Sequence, residues 1–163
     1  MRVLMLGVYT GSRPGAIFNA SWLEGIRLSF VDVERGVFHR HAAGKGETNK
    51  RQPPVRLPRK LVDHLRRWRK ADFGKNQPYV VMFDGMPVAD VNKALARACR
   101  LAGIEPITVY ALRHTCGAWL ATKGVPTRHI AEYLGTSESM VIRHYGHLHP
   151  DYQKDVAEAI GRK

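Results

Sequence analysis

Between residues 25 and 57 the apolar pattern changes period. "IRLSFVDV", "GVFHRH" and "PPVRLP" are short β-branched or alternating runs separated by glycine or polar turns. That is the pattern of half-buried strands, and the segments on either side read as helices. One small sheet enclosed between helical segments confines the chain to the α+β class. The expectation is a mostly helical domain with a small three-stranded antiparallel sheet. The 163 residues suffice for one domain, and 44% are hydrophobic, enough for a real core. A disordered chain is thereby excluded.

The helices have readable ends. The apolar run Leu4 to Tyr9 closes a first helix before the break Thr10-Gly11-Ser12. Ser12 can cap a second, with Pro14 in its first turn, from Arg13 to about Asn19. A helix over Arg59–Lys70 puts Leu61, Val62, Leu65 and Trp68 on one face. Further helices are expected over Val88–Ala102, Val109–Lys123, Thr127–Leu134 and Ser137–His144. A last one runs from Pro150 or Asp151 to about Ile160. Gly103, Gly124 and Gly135 serve as stops. Trp22, Trp68 and Trp119 are expected in the core, with Tyr133, Met140 and Val141 packing the last helices. Cys99 and Cys116 fall inside helical segments and read as reduced, buried thiols of a cytosolic protein. No apolar stretch approaches the ~18 residues of a membrane span. The apolar run starts at residue 1, which suggests that residues 1–163 are a C-terminal piece of a longer chain.

Charge narrows the partners. Lys and Arg number 26 against 14 Asp and Glu, a net charge of +12. Residues 40–75 hold twelve of the cations and three of the acids, so +9 of the excess lies in one stretch. Exposed faces usually mix signs. A concentrated basic stripe is better explained by phosphate contact, with DNA or RNA as the partner rather than a membrane.

Several chemistries are excluded. "AGKGET" contains Gly44-Lys45, but Gly46 stands where a P-loop needs Ser or Thr. No serine sits in a G-x-S-x-G turn. His144, His147, His149 and Asp151 have a spacing that can ligate a metal, but no carboxylate cluster accompanies them. No metal and no cofactor are expected.

Four segments, taken together and in order, resemble the catalytic domain of the tyrosine recombinases, the phage integrase family. "YTGSRPGAI" matches the T-G-x-R box and offers Arg13 as the first catalytic arginine. "ETNKRQPPVRLP" resembles the hairpin that carries the catalytic lysine. "TVYALRHTCGAWL" matches H-x-L-R-H-T, with Arg113 as the second arginine and His114 after it. "YLGTSESMVIRHYGH" matches L-G-H followed by eight residues and a tyrosine, which puts Tyr145 at the nucleophile position. The resemblance covers residues 1 to about 160. It implies the tyrosine-recombinase fold and attack of Tyr145 on a DNA phosphodiester, giving a 3′-phosphotyrosine and a free 5′-hydroxyl. Arg13 and Arg113 would clamp the non-bridging oxygens, and a lysine would protonate the leaving group. Lys45 and Lys50 both lie in the loop. Lys50 is nearer the hairpin strand and is taken as the catalytic one, with Lys45, Arg51, Arg56 and His114 as DNA contacts. The phenol ionises near pH ~10, so a positive pocket and a proton acceptor must help it.

The pattern is incomplete. Tyr110 and Thr136 stand where most members have histidine, and both are carried over as site residues. The usual carboxylate three residues after the first arginine is Ala16. These losses bear on general-base catalysis. They leave an alternative, a DNA-binding module with the same fold that has lost cleavage. The resemblance further implies double-stranded DNA as partner, a tetramer on DNA through the full-length protein, a monomer when isolated, and a place in the bacterial cytoplasm with the nucleoid. Arg13, Lys50, Tyr110, Arg113 and Tyr145 are expected to converge on one basic cleft.

Overall fold

The structure, a computed structural model, describes residues 1–27, 29–41 and 51–161. Helices α1 (Arg2–Thr10) and α2 (Pro14–Phe18) lead into a sheet of β1 (Ala20–Ser21), β2 (Ser29–Asp32), β3 (Val37–His39) and β4 (Val55–Arg56), adjacent in that order. After α3 (Arg59–Phe73) comes a hairpin, β5 (Met82–Phe83) and β6 (Met86–Pro87). Then follow α4 (Asn92–Leu101), α5 (Val109–Thr122), α6 (Thr127–Leu134) and α7 (Glu138–Tyr145). A 3-10 turn, Gly146–Leu148, precedes α8 (Lys154–Gly161).

The expected antiparallel meander is β2–β3–β4. Val31 opposes Phe38, and Phe38 opposes Val55, so the period of two puts all three on the buried face. On the other face the Phe30 and His39 rings stack with centroids 4.3 Å apart. The sheet has a fourth strand that the sequence reading did not contain. β1 pairs parallel to β2, with Ala20 opposite Ser29. It has two residues and no alternation to read, and both are buried. Its backbone also meets the far strand-like segment, where Val80 N–H donates to Ala20 O at 2.9 Å.

Other boundaries moved for local reasons. The β5–β6 turn, Asp84-Gly85, has positive φ at both residues (50° and 74°), as a two-residue hairpin requires. Residues 88–91, expected to begin α4, run on from this hairpin without helical structure. That helix starts only after Asp90 Oδ1 has accepted the Asn92 N–H at 2.9 Å. Ser12 does not cap α2; its N–H donates to Thr10 Oγ1 at 3.2 Å, and Arg13 is the capping position. Thr127 likewise is not a cap, since Pro126 precedes α6. Ser137, expected as the first residue of α7, is its cap and accepts the Met140 N–H at 3.3 Å. The last helix begins later, at Lys154, because residues 150–153 form a turn with Gln153 at a φ of 61°.

Two apolar clusters form the interior. One unites α1, α2, the sheet and α3 around Leu6, Ile17, Phe38, Leu61 and Leu65. The other gathers Cys116, Ile130, Leu134, Val141 and Tyr145. Helix α5 belongs to both, giving Val109 and Leu112 to the first and Cys116 and Ala121 to the second. Cys99 and Cys116 are free, buried thiols, and burial pushes Cys116 up to about 11. Trp22 is buried, but Trp119 is 53% exposed, against expectation. It lies one heptad beyond Leu112 on the same stripe, where it lines a surface groove with Val8, Tyr9, Leu57 and Leu120. Met140 is likewise exposed, while Val141 beside it is buried. Among the described residues no helix is long and apolar enough to cross a membrane.

One buried carboxylate ties the first cluster together. Asp72, 3% exposed at the end of α3, accepts from Arg2 Nη2 at 2.8 Å and from Trp22 Nε1 at 2.9 Å. Removing it strands a buried indole N–H and a partly buried guanidinium. Asp72→Ala is therefore expected to cost about 2–4 kcal/mol, read as a lowered midpoint in urea unfolding. Asp72→Asn, which keeps one acceptor, should cost less.

Candidate active site

The site is built around the C-terminal end of α6. The last carbonyls of a helix have no intrahelical donor and carry the negative end of its dipole. Here three arginines from distant parts of the chain supply the donors. Arg113, in the middle of α5 and 5% exposed, donates Nη1 to Leu134 O at 2.6 Å and to Gly11 O at 2.8 Å. Arg13, at the start of α2, donates Nη2 to Gly135 O at 3.0 Å and Nη1 to Arg51 O at 2.8 Å. Arg40, just past β3, donates Nη2 to Tyr133 O at 2.9 Å and Nε to Pro53 O at 2.7 Å.

Gly135 makes this convergence possible. Its φ of 67° closes α6. A Cβ there would lie 2.7 Å from Arg51 O and 2.9 Å from Pro53 Cδ. The approach to β4 therefore packs directly on the helix end.

The three cations crowd one another. Burial, then the Arg13 charge, lowers Arg113. Burial, then Arg113, lowers Arg40 to about 10. Arg40 and Arg113 nonetheless stay charged at neutral pH. Among the described residues no carboxylate forms an ion pair with any of them. Carbonyl dipoles hold the guanidiniums in place without neutralising them. Among the described residues, Nε and Nη2 of Arg113 also have no protein acceptor. An uncompensated, rigid, forked donor set is suited to a phosphate.

Tyr145 closes α7 and lies against α5. Its hydroxyl is 3.0 Å from His114 Nδ1. Its ring rests on Gly117, where a Cβ would come within 2.6 Å of Cε2 and Cζ. Burial raises the Tyr145 phenol above the ordinary tyrosine value, and the Arg113 charge only partly opposes this. The positive pocket expected to activate the phenol is therefore outweighed by desolvation. Tyr145 is 8% exposed and paired.

Of the residues singled out in the sequence, Arg13, Tyr110, Arg113 and Tyr145 come together. Tyr110 is exposed, sits edge-on to His114 at 5.2 Å between centroids, and is felt electrostatically by both Arg113 and Tyr145. Thr136 lies on the neighbouring groove with Arg51, Gln52 and Pro53. Arg51 and Arg56 expose their side chains. Lys45 and Lys50 lie outside the described residues. The basic stripe over 40–75 is thinner than its composition suggests. Arg40 is buried, Arg69 pairs with Glu34 at 2.8 Å, and Arg66 lies 3.7 Å from Asp63. Among the described residues, no three His, Cys, Asp or Glu side chains gather as a metal set.

Three contributors go beyond what the motifs show. Arg40 was counted as a surface cation. It follows Phe38 at a spacing of two, so strand alternation points it inward. His114, expected as a DNA contact, also meets the Tyr145 hydroxyl; it lies four residues after Tyr110, on the same helix face. Gly117 carries no chemistry and left no motif.

Residues 2–151 match the Phage integrase family, and the chain belongs to that family. It is 28% identical to the integrase of Salmonella phage P22, over 97% of this chain and 41% of that protein. The fold is similar to that of XerA recombinase, with a TM-score of 0.69, 20% identity, and coverage of 98% of this chain and 56% of that one. It is also similar to the Tn1549 transposon integrase solved with circular intermediate DNA. There the TM-score is 0.70 and the identity 17%, covering 96% of this chain and 58% of that one. The chain thus spans about half the length of these relatives or less.

Gly117→Ala tests the seat of Tyr145. An alanine inside a helix is ordinarily worth about 1 kcal/mol over glycine. Here overpacking against the phenol should outweigh that by roughly 1–2 kcal/mol. Thermal unfolding is expected to show a lower Tm; a higher one would place Tyr145 elsewhere.

Proposed function

We propose that the chain is the catalytic domain of a site-specific DNA recombinase, cutting and rejoining duplex DNA through a covalent link on Tyr145. The observation that carries this reading is a cluster of buried and half-buried arginines that, among the described residues, pairs with no carboxylate and lies beside a buried tyrosine. Arg13 and Arg113 take the non-bridging oxygens of one phosphodiester, where charge grows in the transition state. Tyr145 Oη attacks the phosphorus and the P–O5′ bond breaks, leaving a 3′-phosphotyrosine. Lys50 gives a proton to the departing 5′-oxygen. Tyr110 and Thr136 hydrogen-bond the phosphate. The link keeps the phosphodiester energy, so a 5′-hydroxyl can reverse the step without a nucleotide cofactor.

Lys45, Arg51 and Arg56 contact the DNA backbone. Double-stranded DNA is the substrate, and strand exchange takes place in a tetramer of the full-length protein. The isolated domain is a monomer of weak affinity and little sequence preference. Family membership and the fold shared with the Tn1549 integrase, solved with DNA, support this reading.

The decisive experiment is incubation of full-length protein with a nicked suicide duplex, followed by denaturing electrophoresis and peptide mapping. An adduct on the Tyr145 peptide is expected, formed equally in EDTA because the guanidiniums supply the positive charge. Tyr145→Phe should keep the fold and DNA binding and lose all adduct. An adduct on the Tyr110 peptide would overturn the assignment. DNA binding by the wild type without any adduct would favour the binding-only alternative. Affinity for duplex DNA should fall with salt at a log–log slope of about −0.9 per phosphate neutralised. Charge reversal at Arg51 or Arg56 should weaken all sequences alike. Loss for one sequence only would indicate base readout.

A further inference from the structure

Cleavage needs somewhere for the phenolic proton to go. Burial holds Tyr145 above the ordinary tyrosine value, so at neutral pH fewer than about one phenol in a thousand is ionised. The two positions where the family pattern carries imidazole are Tyr110 and Thr136. A phenol and an aliphatic hydroxyl are poor proton acceptors near neutrality. Thr136 moreover lines the groove beside Arg51 and Pro53. Among the described residues, the hydrogen-bond partner of the Tyr145 hydroxyl is His114 Nδ1, at 3.0 Å.

His114 is suited to more than contact. It follows Arg113 on α5, so one helix holds both the phosphate-directed cation and the imidazole. It is exposed and can exchange a proton with solvent between turnovers. The groups around it are Tyr110 on α5 and His144 and Tyr145 on α7, with the His144 ring centroid 6.1 Å away, and Arg113 and Cys116 act on the same phenol. Of these, Tyr145 is the one in hydrogen-bond contact.

We propose that His114 is the proton acceptor for Tyr145, a catalytic base in place of the histidines missing at 110 and 136. The inference rests on the recombinase reading above. With the His114 proton on Nε2, Nδ1 offers its lone pair to the phenol. As Tyr145 Oη bonds to phosphorus, its proton passes to Nδ1 and leaves an imidazolium. The P–O5′ pair goes to the 5′-oxygen, which takes a separate proton from the general acid. In rejoining, the imidazolium returns its proton to the departing Tyr145 oxygen.

The test uses full-length protein and single-turnover adduct formation on the suicide duplex. His114→Ala should slow the adduct by about a hundredfold or more, the range of general-base contributions. It should leave DNA affinity unchanged within about threefold. His114→Asn keeps a polar atom near the Nδ1 position but cannot hold the proton, and should be as slow. Replacing Tyr145 with 3,5-difluorotyrosine, a more acidic phenol, should shrink the His114→Ala defect at least tenfold. A wild-type rate in His114→Asn, or a defect indifferent to fluorination, would overturn the proposal by reducing His114 to a positioning residue. So would a loss of rate in His144→Ala with none in His114→Ala. Wild-type protein that forms no adduct overturns the recombinase reading, and this inference with it. A wild-type adduct that forms undiminished in His114→Ala overturns this inference alone.

Discussion

Three guanidinium groups end on the last carbonyls of one short helix, and the site depends on that meeting. The acceptors are consecutive: Tyr133 O for Arg40, Leu134 O for Arg113 and Gly135 O for Arg13. The donors come from the start of α2, the end of β3 and the middle of α5, and so from both apolar clusters. A helix C-terminus is a natural hub for cations, and Gly135 turns the chain there without burying the final carbonyl under a side chain. The same bonds that orient the arginines clamp the first cluster to the second. The geometry of the arginine cluster and the tertiary assembly are thus set by one set of contacts.

That arrangement is electrostatically incomplete. Each guanidinium loses water on burial, and neutral carbonyls return only part of the hydration energy. Mutual repulsion adds to the cost, which is why Arg113 and Arg40 are both lowered. The family pattern places a carboxylate three residues after the first arginine. Here Ala16 stands there, buried in the first cluster. Its orienting work on Arg13 falls to Arg51 O and Gly135 O, which fix direction while leaving the charge whole. A bound anion would relieve the repulsion, so the arginine cluster is preorganised for one and held at some expense of stability.

What was legible in the sequence was short-range. Tyr110, Arg113 and His114 are three and four positions apart on one helix, so their common face follows from helical geometry alone. Gly135 as a stop and Ser137 as a helix start are single-residue signals with local physics behind them. The meander of β2, β3 and β4 showed in its alternation. β1 did not, because two buried residues paired by their backbones leave no pattern. Arg40 escaped because its partners are backbone carbonyls 13 and 93 residues away, which no side-chain motif records. Trp119 was misplaced because helix α5 is apolar around much of its circumference, and the packing of α1, α6 and α7 decides which of its residues are covered.

The position of Tyr145 follows from the same helix end. Ser137 caps α7 two residues after Gly135, and the eight-residue helix carries Tyr145 about 12 Å along a rigid rod. The arginines and the tyrosine are therefore placed from one origin, the first by hydrogen bonds and the second by helical rise. Each residue added to or taken from α7 would turn Tyr145 by about 100°, off Gly117 and away from His114. The fixed interval between the L-G pair and the tyrosine thus has a geometric cause. It counts the helical residues needed to bring one phenol onto the only α5 position that can receive its ring without a Cβ.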